Sequence, residues 1–153
     1  MGDPLMGAGG LEVLLARSYG DLTRSAEQEL DDTLYMKTVT AIIRELGQRG
    51  DIVILGRGSH LLLREHPTAL HVLTIAPLEV RVQRFAEREG LSSQAAAKRV
   101  HDLDKSRAAF HHKFFKAGAD DPACYDLAID TSRLSFEVAA QLVAEAARAC
   151  ETA

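Results

Sequence analysis

Tryptophan is absent from this chain, and cysteine occurs only twice in its 153 residues, as Cys124 and Cys150. Two thiols so far apart are too few for a disulfide framework or a zinc knuckle, so a reduced, cytoplasmic setting is expected. No apolar run approaches the roughly 20 residues that a membrane helix needs, so no membrane partner is expected. The start, MGDPLMGAGG, lacks the basic and apolar regions of a secretory signal. Positive charge is not in excess either. A formal charge of −4 leaves no general footprint for a nucleic-acid polymer, so any cationic site must be local. Histidine has no HExxH spacing, and His111-His112, being adjacent, diverge on a helix; no metal site held by the protein is expected. No Gly-x-Ser-x-Gly elbow marks a nucleophilic triad.

What is present reads as one soluble domain. Hydrophobic residues make up 46% and charged residues 26%, enough to build a single core at this length. Residues 1–30 read as a flexible or partly helical leader, with four glycines and Pro4 in the first ten and a short helical stretch from Leu11 to Arg17. Tyr35, Val39, Ile42, Ile43 and Leu46 recur at helical spacing, with Asp31 and Asp32 placed for the positive end and Gly47 and Gly50 as stops. Ile52-Val53-Ile54-Leu55 is a short continuous apolar run, the pattern of a strand buried on both faces of a parallel sheet. A short helix over 59–65 follows. His71 to Ile75 and Tyr125 to Asp130 supply two further strands. Between them, Pro77 opens a helix from Leu78 to Glu89 that ends at Gly90, and Ser92 or Ser93 caps another reaching Phe115. A last helix runs from Ser135 to Ala149. Strands alternating with helices predict an α/β fold, a parallel sheet flanked by helices, over 31–153. Ligands of such folds sit at the carboxyl ends of the strands, which points to Gly56-Arg57-Gly58, Ala76-Pro77 and Thr131-Ser132.

Three groups of residues can carry chemistry. Arg57 stands between Gly56 and Gly58 after an apolar run. Glycines admit a sharp turn and a closely approaching ligand, and the guanidinium can fork onto phosphate oxygens. An ordinary turn with a surface arginine fits the same pattern. Lys98, Arg99, Asp102, Asp104, Lys105 and Arg107 form a charged helical segment, in which Asp104 and Arg107 face the same way. Such an arm can close over a nucleotide and neutralise charge on a transferred phosphoryl group; a solvated face laced with ion pairs looks alike. Arg81, Arg84 and Arg88 share a stripe that fits either a substrate cleft or snorkelling surface side chains.

From about Leu30 to Val143 the chain resembles the cytidylate kinase-like family of P-loop nucleoside monophosphate kinases. The matching residues are Ile43-Arg44-Glu45-Leu46, the run from Ile52 to Gly58, Val72 to Val82, Lys98-Arg99-Val100, Asp104-Lys105-Ser106-Arg107, and Asp121-Pro122 with Tyr125 to Ser132. The resemblance implies a three-layer kinase fold and ATP-dependent phosphorylation of a nucleoside monophosphate, CMP or dCMP, with magnesium. It implies that Arg57 holds the acceptor phosphate, and that Asp104-Lys105-Ser106-Arg107, with Lys105 a further catalytic candidate, belongs to a helical lid over about 92–118 in which Asp104 positions its neighbours and Arg107 reaches the transferred phosphate. Arg81, Arg84 and Arg99 are further substrate-binding candidates. Family members often carry Asp where this chain has Gly58. The family also begins with a strand and a phosphate-binding Gly-rich loop, whereas Gly7-Ala8-Gly9-Gly10 lacks a Lys-Ser or Lys-Thr pair. The expectation is therefore an N-terminally truncated form with little turnover, or a non-catalytic nucleotide-binding or dimerising remnant. An open sheet edge favours association, so a homodimer is expected.

Overall fold

The computed structural model describes residues 26–151. The leader expected over most of residues 1–30, with its helix from Leu11, lies outside them. Helix α1 (Ala26–Arg49) starts ahead of the anticipated acids, so Asp31 and Asp32 fall in its second turn and not at its positive end. It also runs through Gly47. A Cβ there would sit 2.9 Å from Leu63 Cδ2, so this glycine serves a close approach rather than a stop. Gly50, with φ +69°, follows the helix end.

The first expected strand is not one. Residues 52–55 join no sheet, and Val53 and Leu55 are 95% and 87% exposed. Apolar composition favours burial, but a strand exists only through a ladder to a neighbour, and no described segment lies alongside. Helix α2 (Ser59–Leu62) then makes one turn, shorter than the expected 59–65, with Leu63 N–H closing on Ser59 O at 2.9 Å.

The other two strands form as read. β1 (Val72–Ile75) and β2 (Leu127–Asp130) pair in parallel, Val72 beside Leu127 and Ile75 beside Asp130. The ladder opens on a side chain: His71 N–H donates to Asp126 Oδ2 at 2.7 Å, and Asp126 N–H donates to His71 O at 2.8 Å. Between the strands run α3 (Leu78–Glu89) and α4 (Ser93–Phe115). Pro77 caps α3 at its start, and Gly90 ends it in the left-handed region with its N–H on Ala86 O. Ser92 caps α4, its Oγ accepting from Ala95 N–H at 3.3 Å. A 3₁₀ turn at Pro122–Cys124 precedes β2, and α5 (Phe136–Glu151) closes the chain's described part.

The architecture is α/β, a small parallel sheet flanked by helices. The buried apolar residues are Leu73 and Ile129 of the strands, Ala96, Val100 and Phe110 of α4, Val39 and Ile43 of α1, Ala139 of α5, and Ala119 in the loop after α4. No large side chain is wholly sealed from solvent among the described residues. No helix there is long and apolar enough to cross a membrane.

Candidate functional site

Three successive residues adopt positive φ at the expected phosphate turn: Gly56 at 74°, Arg57 at 59° and Gly58 at 67°. Left-handed backbone is relaxed for glycine and strained for arginine, by about 1–3 kcal/mol, and such strain persists only where the surroundings impose it. Here they do. A Cβ at position 58 would lie 2.3 Å from Phe115 Cε2, so the turn is pressed onto the last turn of α4 in a space only glycine fills. That contact accounts for glycine where the family often has aspartate. Ser59 N–H donates to Gly56 O at 3.1 Å, and Leu61 and Leu62 N–H both converge on Gly58 O.

The turn is bolted to α4 a second time. His60 of α2 is buried with its ring 4.4 Å from that of Tyr125 and 5.6 Å from that of His111, stacked on both. His111 Nδ1 meets Arg107 O at 3.0 Å, and Tyr125 OH donates to Ala119 O at 2.8 Å. Nε2 of His60 and of His111 find no hydrogen-bond partner among the described residues. Burial, then His111, His71 and Arg107, lower the His60 pKa to about 4, so the ring is neutral at physiological pH. Burial pushes the Tyr125 hydroxyl up. Nothing in the one-dimensional spacing marks this cluster: its members come from three separate segments, and only folding stacks them.

At the carboxyl ends of the strands a second cationic group gathers. Arg81 of α3 donates from Nη1 to both carboxylate oxygens of Asp104 at 2.8 Å, and from Nε to Ala76 O at 3.1 Å. The helix after β1 and the arm α4 are thus joined by one ion pair. Arg84 is taken up by the end of β2, donating to Thr131 O at 2.7 Å and Thr131 Oγ1 at 3.1 Å, with Phe136 stacked 4.8 Å from its guanidinium carbon. Asp130, the last residue of β2, accepts from the Ser132 hydroxyl and N–H, which lowers its pKa. Arg88 leaves the stripe, pairing with Glu89 at the surface.

The remaining candidates separate. Arg107 lies one turn beyond Asp104 but turns to the following loop, donating to Asp120 Oδ1 at 2.6 Å and Ala119 O at 3.1 Å. Lys105 is exposed and makes no ion pair among the described residues. Arg99 lines another groove, of about 420 Å³, between α3 and α4 with Phe85, Glu89 and Lys98. Arg57 and the charged arm therefore share one helix as their support, while Arg81 and Arg84 form a separate group at the strand ends. Among the described residues no three His, Cys, Asp or Glu side chains cluster to hold a metal ion.

Comparison with known proteins adds to this geometry. The chain is 32% identical over 100 residues to the cytidylate kinase of Methanopyrus kandleri, covering 60% of this chain and 52% of that protein. It is 28% identical over 130 residues to the cytidylate kinase of Methanocaldococcus jannaschii, covering 82% and 70%. The chain thus spans between about half and two-thirds or so of the length of these relatives. An uncharacterised protein from Eubacterium ventriosum has the same fold, with a TM-score of 0.70 at 20% identity over 76% of this chain and 74% of that one. The model of the cytidylate kinase-like family matches residues 8–133, beginning inside the glycine-rich start and ahead of the stretch on which the resemblance was read. That match takes in the Arg57 turn, both strands and the whole of α4, and by it this chain belongs to the cytidylate kinase-like family.

Proposed function

We propose that this chain binds a nucleoside monophosphate, CMP or dCMP foremost, and takes part in its phosphorylation by ATP with magnesium. The observation that carries the reading is the strained Arg57 turn pressed onto α4, the same helix that bears Asp104, Lys105 and Arg107. Gly56 and Gly58 let a phosphate approach the backbone, and Arg57 offers it a fork of donors. Asp104 holds Arg81 at the strand ends, and Lys105 and Arg107 supply positive charge for a transferred phosphoryl group. The Arg107–Asp120 pair is largely open to solvent, and exposed pairs contribute only about 0–1 kcal/mol, so an incoming phosphate can compete for the guanidinium. Arg84 secures the end of β2, and Arg99 stands at the margin. Magnesium would enter with the ATP phosphates it neutralises, and no role of a side chain here depends on it.

A second reading is a protein that binds the acceptor without turnover, since the fold can persist where the chemistry does not. Association through the exposed run at 52–55 into a homodimer belongs to the same proposal, and a single monomeric species by light scattering over a wide concentration range counts against it. Calorimetric titration with CMP and ATP separately tests the reading. CMP is expected to bind, and Arg57→Ala to weaken it by about 1.5–3 kcal/mol. Absence of CMP binding sinks the proposal, and unchanged affinity in the variant removes Arg57 from the site. ADP release from ATP plus CMP decides between enzyme and binding protein.

A further inference from the structure

Beside the Arg57 turn, α1 and the C-terminal end of α4 enclose a groove of about 830 Å³, a size typical of sites for small ligands, which span roughly 300–1,000 Å³. Its charge is out of keeping with the chain. Lys37, Arg44, Lys113 and Lys116 line it against the single carboxylate of Asp32, in a protein whose formal charge is −4. Asp32 engages Lys113, whose ammonium also lies 5.1 Å from the centre of the Phe114 ring. Lys37, Arg44 and Lys116 make no ion pair among the described residues. Lys116 enters from a left-handed C-cap with φ 53°, a conformation in which glycine would be relaxed. Half-buried Phe114 and Phe115 give the same groove flat apolar faces.

Cations and ring faces together suit an anion joined to a planar group. An apolar partner helix fits poorly, because covering three cations that have no ion pair among the described residues would strip their water without return. A polymer fits poorly too, because the chain as a whole is acidic, with a formal charge of −4. The groove also adjoins the phosphate turn: Phe115 is the ring against Gly58, and Leu62 of α2 lines the groove. Resting on the function proposed above, we infer that the α1–α4 groove seats the acceptor nucleotide. The phosphate lies toward Lys37, Arg44 and Lys116 at the edge of the Arg57 turn, and the base stacks on Phe114. Stacking of a base on an aromatic ring is tolerant of base identity, so this seat accepts a purine monophosphate as well.

The test is calorimetric titration of the full chain with CMP, AMP and cytidine, in the wild type and in Lys37→Glu, Lys116→Glu, Phe114→Leu and Arg57→Ala, with circular dichroism confirming each fold. Both lysine variants are expected to weaken CMP and AMP at least tenfold. Phe114→Leu is expected to weaken both severalfold and to weaken cytidine as well. Lys37→Gln, which changes the helix least, is expected to fall between the wild type and Lys37→Glu. CMP affinity unchanged by both charge reversals yet lost in Arg57→Ala overturns the groove and leaves the proposed function standing. Failure of the wild type to bind any nucleoside monophosphate overturns both. AMP binding with the same lysine dependence in a chain that ignores CMP upholds the groove and refutes the cytidine preference alone.

Discussion

Residues 52–55 and β1 are nearly the same peptide, Ile-Val-Ile-Leu against Val-Leu-Thr-Ile, yet they meet opposite fates. β1 lies beside β2 in a parallel ladder with Leu73 buried at 7% exposure, while Val53 and Leu55 stand in solvent. The first run is, if anything, the more apolar. The difference lies in what sits alongside. β2 offers β1 a row of carbonyl and amide groups and a facing Ile129, and no described segment offers these to 52–55. Hydrophobicity gives a run a reason to be buried, and a neighbour gives it a strand to be. The border between the two regimes falls at Gly56-Arg57-Gly58, where the chain passes from the unpaired run to a close approach of Gly58 to Phe115.

The largest expected effect divides the two runs directly. Leu73→Ala should cost roughly 2–5 kcal/mol, as for a buried leucine, while Leu55→Ala should stay within about 0.5 kcal/mol, both read from urea unfolding by circular dichroism. Equal costs would mean that 52–55 is covered in solution, by another copy or another segment, and the contrast would fail. Next, Gly58→Ala combines a left-handed backbone with a methyl driven into Phe115, and should destabilise by about 2–3 kcal/mol. Adding Phe115→Ala to it should recover part of that loss in a double-mutant cycle; no coupling would show that the turn is not gripped there.

A smaller effect is pH-dependent. Unfolded chain takes up a proton at His60 near pH 6.5, whereas the folded protein refuses it until about 4. Stability therefore falls as pH drops from 6.5 toward 4 and levels off below, by about 1–2 kcal/mol once solvent near the cluster is allowed for. His60→Phe keeps the stacking and should flatten this part of a stability-against-pH profile. A profile that keeps its slope would place the acid sensitivity elsewhere. The smallest effect belongs to Arg81 and Asp104, a half-exposed pair. Asp104→Asn should shift stability by less than about 1 kcal/mol in thermal melts. A larger loss would make the pair part of the scaffold instead of a means of holding Arg81 at the strand ends.

Much of the fold was legible from local signals. Pro77 and Gly90 bound α3 where the spacing placed them, Ser92 caps α4, and both paired strands fall within their expected stretches. The glycines about Arg57 announced a turn of unusual backbone, and the three positive φ values are that turn. Local signals misled where the deciding partner is distant. Gly47 reads as a helix stop, yet its missing Cβ serves Leu63. Asp31 and Asp32 read as acids at the positive end of a helix, yet they fall in its second turn and Asp32 engages Lys113 on α4. Arg81, Arg84 and Arg88 read as one stripe, but carbonyls and carboxylates from different elements divide them.

The sequence by itself determined the family, the order of the helices, and the presence of an arginine held between glycines. Those properties depend on residues a few positions apart, where periodicity, capping and backbone freedom act. Tertiary structure alone decided which apolar run became a strand, which acid each arginine met, and that His60, His111 and Tyr125 stack behind the Arg57 turn. Each of those outcomes turns on atoms brought together from far along the chain. Hydrogen bonds and ring contacts act over a few ångströms, so neither exists until the fold has closed that distance.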